Sequence, residues 1–167
     1  MSHRLTTAIR IGDAARAILN KTKRFPEPEF EDRSKYEHVG VEPMLLALAM
    51  ELALKAWIVF DYDDPKYPGS HDLIKLFERL KPESQEKLDI EFKASITPYH
   101  PNLLYIDYSI RHLLYQHKDA FVDWRYLHER KKTMFDLGAF EATLEMVLRE
   151  FEKRYRTVPV AVLKRPR

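Results

Sequence analysis

Arg111-His112-Leu113-Leu114-Tyr115-Gln116-His117 gathers the residue types that can cleave a phosphodiester through a neighbouring hydroxyl. Such chemistry needs a base for the hydroxyl proton, an acid for the leaving oxygen and positive charge beside the phosphate. Histidine serves either proton-transfer role near neutral pH, and arginine clamps phosphate. Arg111 and His117 are the catalytic candidates, with His112 beside them. On a helix of 3.6 residues per turn their six-residue offset sets them about 120° apart. Two such helices facing each other across a two-fold axis would close a site better than one chain alone. His117 also falls on an apolar seam, where a packed core or interface histidine is the ordinary outcome.

Two other constellations carry charge into apolar surroundings. Glu51 and Lys55 stand four residues apart in Met50-Glu51-Leu52-Ala53-Leu54-Lys55-Ala56, where i,i+4 side chains meet. Unpaired charges in such a setting are costly, so they read as a semi-buried structural ion pair rather than a catalytic pair. His71 and Asp72 open a new helix after a Pro/Gly turn and read as cap and dipole partner, with His71 packed against the end of the preceding helix. Asp61, Asp63 and Asp64 lie nearby but lack calcium-loop spacing and its glycine, so no metal and no cofactor is expected. Further on, Trp124-Arg125-Tyr126-Leu127-His128-Glu129 supplies Arg125 and His128 as pocket candidates. Arg130, Lys131 and Lys132, with Lys153-Arg154-Tyr155-Arg156, are the candidate phosphate or partner contacts. No phosphate-binding glycine loop, nucleophile elbow or metalloprotease helix is present.

The elements that must position these residues are helical. Leu5, Ala8, Gly12, Ala15 and Leu19 give a first helix over 5–20 one apolar face. Lys21 to Gly40 carries Pro26, Pro28 and ten charged residues, and reads as a long polar connection. Val41 to Phe60 is apolar almost all round and should be a buried central helix. Ser70 is the expected N-cap of a helix from His71 to Leu80, and Pro82 suits position N1 of the next. Leu103, Ile106, Ile110, Leu113, His117, Ala120, Trp124 and Leu127 recur by three and four, which predicts one helix from Asn102 to Arg130 with room for a kink near Asp119. Asp136 should cap a last helix whose face carries Phe140, Leu144, Val147, Phe151 and Tyr155. Residues 158–167 read as a basic extended tail.

The 167 residues, with four glycines, 45% hydrophobic and 32% charged residues, suit one all-α domain over 1–157 with a polar insert at 22–40. There is no cysteine, which excludes disulfides and thiolate chemistry and fits a reducing cytoplasm. Met1 to Thr7 lacks the apolar core of a signal peptide. Glu51 and Lys55 sit badly at the centre of a membrane span, so no membrane partner is expected. The net charge is +2, but residues 121–167 hold 11 Lys+Arg against 7 Asp+Glu, an excess that attracts phosphate or forms a solvated face.

Glu51-Leu52-Ala53-Leu54-Lys55-Ala56, His71-Asp72-Leu73 and Trp124-Arg125-Tyr126 together resemble the HEPN superfamily over roughly residues 41 to 155. The resemblance implies an up-and-down helical bundle that commonly dimerises. Many members are metal-independent endoribonucleases of toxin–antitoxin, phage-defence or CRISPR systems. Others are inactive and bind RNA, nucleotides or proteins. The nuclease motif of the family is an Arg, often followed by a polar residue, with a His after four to six intervening positions. Arg111-His112 and His117 satisfy that spacing, whereas Arg125-Tyr126-Leu127-His128 is too short for it. The expectation is a homodimeric HEPN-like protein of a prokaryotic defence or stress system. It would be either an endoribonuclease or a non-catalytic module binding RNA, a cognate antitoxin or another protein.

Overall fold

A computed structural model describes residues 3–25, 40–64, 69–99, 108–125 and 135–156, and among these every regular element is helical. The element at the centre is Val41–Tyr62 (α2), which extends the expected helix by two residues and ends on Asp63 in a left-handed conformation, φ 55°. Aspartate tolerates that conformation better than most residues. Met50, Leu54, Trp57 and Ile58 are fully enclosed, with Trp57 Nε1 donating to the Val147 carbonyl at 3.2 Å. By length and composition α2 could cross a membrane, yet 72% of its apolar stretch is buried by the rest of the fold. It is the core helix that its all-round apolarity predicts.

His3–Thr22 (α1) and Leu137–Arg156 (α7) pack on α2 and on each other. Ala8, Gly12, Ala15 and Leu19 form the buried face of α1, as their spacing predicts. Gly12 is there for closeness: a Cβ at that position would stand 3.0 Å from the Phe151 ring. Asp136 caps α7, accepting from the Ala139 amide at 3.1 Å, and Phe140, Leu144, Val147 and Phe151 are buried along one side.

Leu73–Glu78 (α3) starts two residues later than expected. Its cap is Asp72, whose Oδ1 accepts from the amides of Ile74 and Lys75 at 3.0 and 3.2 Å, while Ser70 Oγ accepts from the Asp72 amide. Asp72 wins because a carboxylate at an N-terminus satisfies two orphan amides and meets the helix dipole with full charge. His71 therefore lies outside the helix and is free to turn towards α2. Pro82–Ser95 (α4) has its proline in the first turn as expected, and a 3-10 turn follows at Thr97–Tyr99.

The single long helix expected from Asn102 to Arg130 is not what forms. Tyr108 and Ser109 are non-helical, Ser109 caps Ile110–Gln116 (α5), and a turn at 117–119 separates it from Ala120–Arg125 (α6). The break comes with a contact to the start of α3. The Lys118 carbonyl leaves the helical ladder to accept the Leu73 amide at 3.0 Å, and His117 adopts φ −114°, ψ 19°. The heptad spacing is satisfied by two short helices, of which α6 packs on α2 and α5 on α3 and α4. Residues 26–39 of the polar connection, 102–107 and 126–130 of the expected helix, and the tail at 158–167 lie outside the described residues.

Candidate functional site

Arg111 and His117 are not brought together. Arg111 is exposed on α5 and pairs with Glu78 of α3. His117 is 5% exposed at the end of α5, wedged edge-on against Phe135 and Phe140 at centroid distances of 4.8 and 5.2 Å. Its Nδ1 donates to the Leu113 carbonyl at 2.9 Å, and its Nε2 accepts the Asp136 amide at 3.1 Å. Those two bonds fix the neutral tautomer and leave neither nitrogen for a substrate. Burial pushes its pKa below the usual histidine range, against the Leu113 carbonyl and the Asp136 charge, which pull it up. His117 is thus the hinge pin that ties the end of α5 to the cap of α7. His112 is half-buried, edge-on to Tyr108 at 5.5 Å, with Nε2 3.1 Å from Gln116 Nε2. Burial and the neighbouring Asp136 push the Tyr108 hydroxyl up to about 12, so it stays protonated at neutral pH.

The basic run in α7 is also committed. Lys153 pairs with Glu150 at 2.6 Å, Arg156 pairs with Glu152, and Arg154 binds Asp61 and Ser84 while lying over the rings of Trp57 and Phe60. These residues were expected to hold phosphate; carboxylates of their own fold hold them instead. Arg149 likewise bridges Glu91 at 2.8 Å and Glu150 at 3.5 Å. Glu150 is buried. Burial raises its pKa, but the Lys153, Lys87 and Arg149 cations outweigh it, and the net shift is downward. His128, Arg130, Lys131 and Lys132 lie outside the described residues, and of Arg125 only the backbone is described.

A different constellation is assembled. Glu51 and Lys55 are 3% and 6% exposed and joined by a 2.5 Å bond, a fully buried ion pair where a semi-buried one was expected. The second Glu51 oxygen receives His71 Nδ1 at 2.8 Å across twenty residues of chain. His71 thus meets the middle of α2 rather than its end. Its side chain is 52% exposed, and the ring lies 5.2 Å from that of Phe121 on α6 at an interplanar angle of 32°. Three elements build this: α2 supplies the buried charges, the Asp72 cap ends α3 one residue short of His71, and the diverted Lys118 carbonyl docks the α5–α6 turn alongside. The sequence displayed all three residues, and an unsatisfied second carboxylate oxygen on a buried Glu51 was the signal that it needed another donor. Among the described residues no group of three or more His, Asp or Glu stands ready to hold a metal ion.

Comparison of the chain with family models, with curated proteins and with solved structures finds no match.

Proposed function

We propose that this chain is a HEPN-like helical module of a prokaryotic defence or stress system, working by binding a partner rather than by cutting RNA with Arg111 and His117. The observation that carries the reading is the position of His117: buried in its own protomer, with both ring nitrogens spent on backbone groups. A two-fold dimer would not release it, because its partners Leu113 and Asp136 are intramolecular. A protein partner is favoured over RNA, because the cations of α7 that were candidates for phosphate are paired with carboxylates. Phe121, Val122 and Trp124 on α6 remain only half-buried and offer an apolar strip for such a partner, a second copy of the chain or a cognate antitoxin. The expected cellular setting is the cytoplasm.

The test is a pair of assays on the full chain. Light scattering across a concentration series should show a dimer, and Trp124→Glu should shift it to monomer while the melting temperature is kept. Incubation with RNA in EDTA should give no cleavage that His117→Ala removes. Metal-independent cleavage that disappears in a well-folded His117→Ala protein would restore the Arg111/His117 site and end the module reading. The endoribonuclease reading stays open on one observation, the half-exposed imidazole of His71 set on a buried carboxylate.

A further inference from the structure

The outer face of α1 carries charge that the rest of the fold does not use. Residues 3–25 hold six Lys+Arg against the single acid Asp13. Arg16 and Lys23 reach across to Glu152 and Glu145 of α7. Arg10, Lys21 and Arg24 do not. They are exposed, and their side chains meet no carboxylate among the described residues. The other helices differ: every Lys and Arg of α4, α5 and α7 pairs with a carboxylate. At about 100° per residue, Arg10, Ala14, Ala17, Lys21 and Arg24 share one stripe, with Asp13 to its side. That stripe is opposite the buried face of Ala8, Gly12, Ala15 and Leu19, so it points away from the core.

The middle of the stripe decides what kind of partner it fits. Ala14 and Ala17 stand exposed where a solvated helix face ordinarily carries pairs of opposite charge. Arg10 and Lys21 flank those two methyl groups, about 16 Å apart at 1.5 Å per residue. A nucleic-acid backbone fits this poorly. Each strand of a duplex sets a phosphate about every 3.4 Å along the axis, so several would lie over methyl groups with no cation. A helix fits it well. Small residues let two helix axes approach to about 8 Å, the near end of the usual range. Carboxylates about eleven residues apart on the second helix repeat the spacing of the two cations. We infer that the outer face of α1 docks an amphipathic helix of a protein partner, with a carboxylate at each end of its contact and small apolar residues between them. This surface shares no residue with the α6 strip and stands or falls without it.

The experiment titrates the full chain with a labelled helical peptide. The probe carries two glutamates about eleven residues apart on one face, with alanines between them. It should bind, and binding should weaken as salt rises. Arg10→Gln/Lys21→Gln should weaken it by about tenfold with the melting temperature kept. Arg10→Glu/Lys21→Glu should refuse this peptide and accept one with lysines in place of the glutamates, a swap that pairing in register requires. Ala17→Gln adds bulk without charge and should weaken the peptide too, because the helices can no longer close up. The controls are a peptide of the same composition with its glutamates adjacent, and single-stranded and duplex oligonucleotides. Equal binding of the adjacent-glutamate peptide would overturn the proposal. So would an oligonucleotide that binds more tightly than the peptide and ignores Ala17→Gln, since that marks a general polyanion surface. Failure of the spaced peptide to bind at up to ~1 mM would overturn it as well.

Discussion

Two histidines, forty-six positions apart, show how environment and not residue type decides what an imidazole does. His117 sits inside the aromatic cluster of Phe135 and Phe140 with both nitrogens bonded to backbone, and His71 stands half in solvent on the carboxylate of Glu51. The first makes a prediction about pH. Burial holds the folded His117 below its ordinary value of about 6.5, so the unfolded chain binds this proton more readily than the folded one. Its contribution to stability is present in full above pH 6.5 and is lost as pH falls towards the folded value. Urea melts from pH 8 to pH 5 should show stability falling on the acid side, and the fall should be shallower in His117→Gln. At pH 8, His117→Ala should cost about 1–3 kcal/mol, because the Asp136 amide loses its acceptor, whereas the Leu113 carbonyl keeps the His117 amide. For the buried pair, Lys55→Met takes the ammonium away from the enclosed Glu51 carboxylate and should destabilise by roughly 3–5 kcal/mol in a thermal melt. The sequence displayed all three residues but not the link from His71 to Glu51, since nothing local to His71 says that a residue twenty positions earlier points at it.

At the scale of elements, legibility follows how far each signal reaches. α1, α2, α4 and α7 were readable because a helix face is set by residues three and four apart, and so were Pro82 in the first turn and Asp136 as a cap. The broken seam was readable only as room for a kink near Asp119, and the non-helical Tyr108 and Ser109 were not readable at all. Ile110, Leu113, His117, Ala120 and Trp124 keep helical spacing through 117–119, and the break comes from a carbonyl taken by Leu73, forty-five residues back in the chain. The cap of α3 was misplaced by two residues for a smaller reason: Ser70 and Asp72 both have capping side chains, and the carboxylate takes the helix while the hydroxyl takes the Asp72 amide. Gly12 tests the packing of α1 against α7. By propensity Gly12→Ala should stabilise a helix interior by up to about 1 kcal/mol. Here the new Cβ meets Phe151 at 3.0 Å, and Phe151 is itself held by Trp57, Phe60 and Tyr155 at centroid distances of 5.4–5.9 Å. Those three rings brace it against yielding, so denaturant unfolding should show a net loss of about 1 kcal/mol, the sign expected of overpacking.

For the molecule as a whole, buried charge does the fastening that a long continuous helix seam was expected to do. Glu51 and Asp61 lie ten residues apart on α2, about 15 Å along its axis at 1.5 Å per residue. Each carboxylate gathers partners from other elements: Glu51 takes His71 at the entry to α3, and Asp61 takes the Lys81 amide at 2.9 Å, Ser84 of α4 at 2.8 Å and Arg154 of α7. Asp61 thereby joins three helices, and Arg154 over Trp57 and Phe60 closes the apolar core behind it. The cost of such a centre shows when one member is removed. Arg154→Met keeps the length of the side chain over the two rings but leaves the Asp61 carboxylate, fully enclosed, with neutral donors alone. We expect a loss of about 3 kcal/mol, at the low end for a broken buried pair because the guanidinium was itself partly exposed. Asp61→Asn alone strands the cation instead, which can reach water, and should cost less. The double variant removes both charges, and its loss should be smaller than the sum of the single losses by 1 kcal/mol or more, since partners in one network do not add. Guanidinium unfolding of the four proteins, with unchanged m-values, measures this directly. Additive losses would mean that Arg154 acts through its stacking on Trp57 and Phe60 and not through Asp61.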